Sequence, residues 1–426
     1  MKIKDLYILF QDCDSACTDT RKVKKNDLFF ALKGEHFNGN TFAEQALTKG
    51  AKYAVIDEAK YKTSDQYILV DNVLETLQLL ATYHRTFLNI PIIALTGSNG
   101  KTTTKELINA ALSQKYKTTA TVGNLNNHIG VPLTLLSMTR NTEIGIVEMG
   151  ANHLKEIAFL SAIAKPDYGY ITNFGKAHLE GFGSVEGVIQ GKTELYQYLK
   201  ANNKVIFVNA NDEKQMTLSQ GPKVYTFGKE NECEVTVNFI EAQPFVTCKF
   251  DNQIIKTNLI GAYNFNNVSA AICIANYFKV SAEAIKKALE TYTPTNNRSQ
   301  IVEKSGFKII LDAYNANPTS MGAALTNFGQ LKDHYKIAFL GDMFELGNEA
   351  KKEHQTITDL ASNLKIDEII LVGENFYKTE SLSGKTKHYR SFEALKKDFK
   401  TPLDQGATLL IKGSRGMALE RILDLL

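Results

Sequence analysis

A chain of 426 residues is longer than one hydrophobic core usually supports, and at about 100–200 residues per domain it implies two to four domains, with three as the expectation. Its 43% hydrophobic and 22% charged residues, without a low-complexity tract, are those of a globular protein rather than a disordered or membrane-embedded one. A net charge of +3, from 49 basic and 46 acidic residues, supplies no long-range field for nucleic acid or anionic lipid, so any bound anion must be held by local geometry.

The apolar run 6–10 near the N-terminus is too short for a signal peptide or a membrane span. Short strands are expected at 27–32, 53–56 and 67–70, followed by a helix over 73–87, which together read as a small α/β domain. Asn89-Ile90-Pro91 then breaks the helix, because proline restricts the residue before it and has no backbone donor. Beyond it, strands at 92–96, 144–149 and 168–173 alternate with helices at 102–112, 153–164 and 185–199, the pattern of a parallel sheet covered on both faces. Three β-rich runs over 235–259 suggest an added antiparallel patch, helices follow at 263–278 and 282–290, and Thr293-Pro294-Thr295-Asn296-Asn297 reads as a linker. The remainder alternates again, with strands at 307–313, 336–340, 368–372 and 409–412, a helix at 321–331 and a closing helix from Met417. The expected fold is α/β in three domains, 1–88, 89–295 and 296–426, the last Rossmann-like. Cys13, Cys17, Cys233, Cys248 and Cys273 are scattered and lack the paired spacing of a zinc site; they read as ordinary thiols of a protein in the reducing cytoplasm.

The sharpest motif is Thr96-Gly97-Ser98-Asn99-Gly100-Lys101-Thr102-Thr103, set between an apolar strand and a helix opened by threonines. Glycines let backbone N–H groups turn toward an anion, and the helix N-terminus adds its positive end. Lys101 would reach the β- and γ-phosphates and the Thr102 hydroxyl would ligate Mg²⁺. The longer GxxxxGK[ST] pattern needs glycine where Leu95 stands, so the match is to the shorter GxxGKT loop; the competing reading is a turn that merely reverses the chain.

Glu148 ends the apolar strand 144–147, and in a parallel sheet that end faces the crevice of the phosphate loop. It is either a metal ligand or a solvated turn residue. His178 sits in the glycine-punctuated loop 173–183 after another strand, where either a metal-supporting or a structural histidine fits. Lys192, in Gln190-Gly191-Lys192-Thr193-Glu194, reads on spacing alone as a solvated lysine of an amphipathic helix.

Taken together the chain resembles the Mur ligases nearly end to end. The likeness rests on 96–103; Gly123-Asn124-Leu125-Asn126-Asn127 with Gly130-Val131-Pro132; Val147-Glu148-Met149-Gly150-Ala151-Asn152-His153; 172–184; Asp312-Ala313-Tyr314-Asn315-Ala316-Asn317-Pro318; Leu340-Gly341-Asp342-Met343; and Lys412-Gly413-Ser414-Arg415. The resemblance implies a UDP-substrate domain, a central ATP-binding domain and a C-terminal domain. It implies an ATP-dependent ligase that joins D-alanyl-D-alanine to a UDP-N-acetylmuramoyl tripeptide through an acyl phosphate, for peptidoglycan. It further implies two Mg²⁺, one at Thr102 and Glu148, the other supported by His178 and a CO₂-derived carbamate on Lys192. Asn264 and Asn267 resemble the family's nucleotide-contacting asparagines, with Tyr263 where many relatives carry histidine; Arg298 resembles the arginine that reaches the γ-phosphate, and Asp312 the carboxylate that meets the nucleotide. Taken by themselves, Arg298 is a linker cation and Asp312 a strand end. Thr20 and Arg21, in Asp19-Thr20-Arg21, resemble the UDP-binding region, with Asn126 and Asn127 as further substrate residues; surface-loop packing is the alternative. Because Arg298 and Asp312 lie apart from Lys101 in the chain, the complete site should require domain closure.

The expected partners are those two substrates, with no nucleic acid and no membrane insertion, and the expected state is a monomer. Two other ligases compete. A sister Mur ligase should carry an Asp-Asn-Pro-Arg signature, which is absent, and a folylpolyglutamate-type ligase should lack the N-terminal UDP pattern. From another class, a P-loop ATPase switch would hydrolyse ATP without either substrate.

Overall fold

Strand Ile92–Thr96 is buried at every position and pairs in parallel on both sides, with Tyr168–Ile171 and with Ile144–Glu148. Such a strand needs an unbroken apolar run, which is what Ile92-Ile93-Ala94-Leu95 supplies. Its side chains divide by parity. Ile93 and Leu95 join the core formed with Leu107, Ile108, Val268 and Ile272, whereas Ile92 and Ala94 join Ile157, Leu160, Val188 and Leu195. One face is therefore covered by helices Lys101–Leu112 and Asn264–Tyr277, and the other by Glu156–Ala164 and Val185–Ala201.

The computed structural model describes residues 1–221, 223–229, 233–381, 383–399 and 406–426. Among these, the central sheet runs, in spatial order, Gln253–Ile260, Phe245–Phe250, Val235–Glu241, Val224–Gly228, Val205–Asn209, Tyr168–Ile171, Ile92–Thr96, Ile144–Glu148 and Thr118–Ala120. The antiparallel patch expected near 235–259 is continuous with it: Val235–Glu241 pairs in parallel with Val224–Gly228 and antiparallel with Phe245–Phe250. The N-terminal sheet is parallel throughout, in the order Ala16–Cys17, Leu28–Phe30, Tyr53–Ile56, Tyr67–Leu69. Helix Val73–Leu88 leaves it, capped by the Asn72 side chain and ended by Asn89 in the left-handed conformation. Arg85 on that helix pins it to the central sheet, donating to Ala164 O and Lys165 O at 3.0 Å each and to Asp167 at 2.7 Å.

The C-terminal sheet has the order Gln300–Lys304, Phe307–Asp312, Thr408–Lys412, Lys336–Gly341, Glu368–Val372, Thr386–Tyr389; its first pair is antiparallel and the rest parallel. The closing helix expected from Met417 is not an α-helix. Two 3-10 turns, Arg415–Met417 and Leu419–Leu425, flank Ala418 at φ +47°, which interrupts the helical ladder and drives Leu419 against Gly341. The helix expected at 153–164 likewise starts only at Glu156, because Lys155 is left-handed. Among the described residues no helix is long and apolar enough to cross a membrane.

Candidate active site

The loop after Ile92–Thr96 enters helix Lys101–Leu112 through Gly100, at φ +79°. Lys101 folds back, its Nζ donating to Gly97 O at 2.7 Å and to Ser98 O at 3.3 Å. Desolvation pushes its pKa down and the Arg298 charge adds to that, while Glu148 opposes it. The loop is braced from the next strand end: Asn173 Oδ1 accepts from Asn99 N and its Nδ2 donates to Asn99 O, both at 3.0 Å, and Thr172 donates to Asn99 O at 2.6 Å.

Glu148 closes the neighbouring strand and is 1% exposed. Its two oxygens accept from Thr102 Oγ1 at 2.9 Å and Asn126 Nδ2 at 2.8 Å. Hydroxyl and carboxylate oxygens thus meet beside the phosphate loop, the donor chemistry that a hard divalent cation takes. Among the described residues no cluster of three or more His, Cys, Asp or Glu side chains is arranged to hold a metal. His178, at φ +53°, sets its imidazole Nδ1 against the Glu345 carboxylate of the C-terminal domain, a contact that holds the Glu345 carboxyl below its usual range.

Lys192 is 1% exposed. Its Nζ donates to Ala151 O at 2.9 Å and lies 5.0 Å from the Phe182 ring centre. Burial drives its pKa well down, and the Lys101 charge lowers it further.

From the opposite side come the linker and the C-terminal sheet. The Arg298 guanidinium stacks 3.7 Å over Tyr314, and its buried Nε has no hydrogen-bond partner among the described residues. Asp312 accepts from Ser299 N at 3.0 Å and from Lys412 Nζ at 2.6 Å. Asn317 caps helix Pro318–Gln330 with its oxygen and donates from Nδ2 to Asn99 Oδ1 at 2.7 Å, so the C-terminal domain touches the phosphate loop directly. Lys101, Thr102, Glu148, Asn126, Asn127, His178, Asn264, Asn267, Arg298 and Asp312 all line one cleft of about 560 Å³.

Three family models match in chain order: Mur ligase family, catalytic domain, over 15–85; Mur ligase middle domain over 95–275; and Mur ligase, glutamate ligase domain, over 297–415. The UDP-N-acetylmuramoyl-tripeptide--D-alanyl-D-alanine ligase of Bacillus subtilis is 37% identical over 416 residues, covering 95% of this chain and 91% of that one. The chain belongs to the Mur ligase family. Among solved structures, MurF from Acinetobacter baumannii superposes with a TM-score of 0.88 at 29% identity, covering 100% of this chain and 98% of that one. MurF ligase from Thermotoga maritima in complex with ADP gives 0.84 at 26%, covering 98% and 97%.

Besides Gly97, whose carbonyl accepts from Lys101 at the loop's start, two groups of expected residues lie outside this Mur ligase cleft. Thr20 and Arg21 are in the N-terminal domain, where Arg21 pairs with Asp19 at 2.8 Å and Thr20 O accepts from Lys49; neither lines the cleft. Lys192 lies behind the cleft wall, reaching it through Ala151. Other residues are engaged within the protein: Asn267 bonds Thr104 and Asn264, and Asn127 Oδ1 caps the turn at Ile129 and Gly130. Nothing in the sequence by itself marks Asn173, Asn317 and Lys412 for the site, although all three sit at strand or helix ends in the motifs shared with the family.

Gly100 gives a direct test of the loop. A left-handed backbone costs an L residue about 1–2 kcal/mol, and a Cβ at Gly100 would stand 2.6 Å from Asn267 Oδ1. Gly100→Ala is therefore expected to lower the denaturant midpoint more than Gly123→Ala, at φ +58° with no atom within 4 Å of its Cβ. Equal shifts would show that the Asn267 contact constrains nothing.

Proposed function

We propose that this chain joins the amine of D-alanyl-D-alanine to the terminal carboxylate of a UDP-N-acetylmuramoyl tripeptide, with ATP converted to ADP and phosphate. It works in the cytoplasm as a step of peptidoglycan precursor synthesis. The observation that carries this is the meeting of Lys101, Glu148, Arg298 and Asp312, from three separate stretches of chain, around one phosphate-loop cleft in a protein with full-length ligase relatives. The division of labour follows the expected segments: 1–88 holds the UDP moiety, with Thr20 and Arg21 in it, 89–295 holds ATP, and 296–426 closes over it.

In this reading the tripeptide carboxylate oxygen attacks the γ-phosphorus, ADP leaves, and an acyl phosphate forms. Loop N–H groups from Gly97 to Thr103 receive the phosphates. Lys101 exchanges its two carbonyl partners for phosphate oxygens, and Arg298 turns its unpartnered Nε toward the same charge. The amine nitrogen then attacks the acyl carbon, phosphate departs with the C–O bond electrons, and the nitrogen's proton passes to solvent. Positioning and charge do most of the work, so no side chain is assigned as general base. Thr102 and Glu148 fit one Mg²⁺, and His178 with a carbamate on Lys192 would be the protein's share of a second; the ions supply neutralisation of the triphosphate charge when bound.

The test is the mass of the ligation product from purified protein, ATP, Mg²⁺, D-alanyl-D-alanine and UDP-tripeptides ending in diaminopimelate or in lysine. Phosphate should appear only when carboxylate and amine substrates are both present. Hydrolysis at full rate without them would replace this reading with an ATPase switch.

A further inference from the structure

Segment 173–178 lies between two domains. On one side it holds the phosphate loop: Asn173 exchanges bonds with Asn99, and Gly175 O accepts from Ser98 Oγ at 2.8 Å. On the other, the backbone N–H of Lys176 donates to Thr319 Oγ1 at 3.1 Å, in helix Pro318–Gln330. Lys176 Nζ donates to Glu353 Oε1 at 2.6 Å, in helix Ala350–Asn363. The layer is one backbone thick at Gly175, where a Cβ would stand 2.9 Å from Asn99 Nδ2 and 3.2 Å from Thr319 Oγ1.

A pair between two exposed chain ends contributes little. This one differs, because the Glu353 side chain is 5% exposed and the Lys176 side chain 47%. A buried carboxylate left alone is strongly disfavoured. Glu353 also lies in the first turn of its helix, where the dipole favours its negative charge. In the docked arrangement Lys176 is the cation paired with this buried carboxylate.

We propose that Lys176 and Glu353 are a docking pair: positioning residues that hold the C-terminal domain on the phosphate-loop face and so keep Arg298 and Asp312 opposite Lys101. The inference rests on the ligase reading, since the docked form is the one that ligates. Neither side chain lines the cleft, so the pair acts through placement.

The test compares Lys176→Met, Glu353→Gln and the reversed pair Lys176→Glu/Glu353→Lys in the full chain. Each is assayed for kcat and KM, thermal unfolding, and small-angle scattering with Mg²⁺ and a non-hydrolysable ATP analogue. Lys176→Met is expected to lower kcat roughly tenfold, less than the loss of a partner from a fully buried pair because the Lys176 side chain is half exposed, and to enlarge the radius of gyration while the unfolding midpoint holds. Glu353→Gln should do the same to a smaller degree, because no charge is stranded. The reversed pair should recover at least about threefold over Lys176→Met, the partial rescue expected of coupled neighbours. Single variants with native kcat and native scattering overturn the proposal, and so does a reversed pair no better than Lys176→Met. If the unaltered protein makes no product, the ligase reading fails separately, and scattering alone decides the pair.

Discussion

Lys101→Ala is expected to reduce phosphate release and product formation by about a hundred- to a thousand-fold, the scale of removing a group that stabilises transition-state charge. In the structure Lys101 is paired only provisionally. Its ammonium satisfies itself on Gly97 O and Ser98 O, carbonyls of the very loop that would cradle the phosphates. Desolvation and the Arg298 charge both disfavour its protonated form, so the fold carries the lysine at a cost that incoming negative oxygens would offset. This gives the prediction a second arm. Removing the side chain should leave the unfolding midpoint no lower than that of the unaltered protein, because the charge it removes is unfavourably placed in the ligand-free fold. Loss of activity with intact stability supports the assignment; normal ligation by the variant overturns it.

What the sequence made legible depended on how local each device is. The phosphate loop is written in eight consecutive residues, whereas one rule about strand ends places Glu148 at the crevice and leaves it either a metal ligand or a solvated turn residue, of which its burial excludes the second. Arg298 and Asp312 are not legible even that far. As residues they are a linker cation and a strand end, and only resemblance gave them roles; the cleft brings them together with Lys101 across roughly two hundred residues of chain. Asn317 shows the limit most clearly. Its helix-capping role is readable from Asn317-Pro318, but its bond to Asn99, 218 residues away, is a property of domain docking. The closing segment failed for the opposite reason. Residues 417–425 have a good helical pattern, yet one left-handed residue, Ala418, decides the local geometry. Strand Thr118–Ala120 is not legible in the sequence because three half-buried residues at a sheet edge carry almost no periodicity.

Lys192→Ala should abolish ligation, and short carboxylic acids such as acetate or formate should restore part of it. On spacing alone this lysine was a solvated one; its burial instead removes the water that stabilises an ammonium. Its hydrogen bond to the Ala151 carbonyl and its neighbour Phe182 do not replace that water. The Glu156 and Glu194 carboxylates, which favour the charged form, are already engaged by backbone N–H groups, Glu156 by Asn152 and His153 at 2.6 and 3.0 Å and Glu194 by Lys155 and Ala158 at 2.6 and 2.9 Å. Desolvation first, and then the positive charge of Lys101, favour the free amine at a pH where an ordinary lysine is protonated. A free amine can attack CO₂: the nitrogen–carbon bond forms as a C=O π pair moves to oxygen, a proton passes to solvent, and the neutral amine would become an oxygen-bearing anion able to serve a hard divalent ion. A small carboxylate entering the space left by alanine would supply the same oxygens, which is why rescue is specific to this chemistry. The sign of the pH effect follows. As pH falls through the depressed pKa the amine regains its proton and would no longer hold a carbamate, so the carbamate proposal predicts that activity drops and that stripping CO₂ from the buffer acts in the same direction. Native activity in Lys192→Ala would return this residue to a structural role, and an inactive variant that no acid restores would remove the carbamate while leaving the buried amine essential.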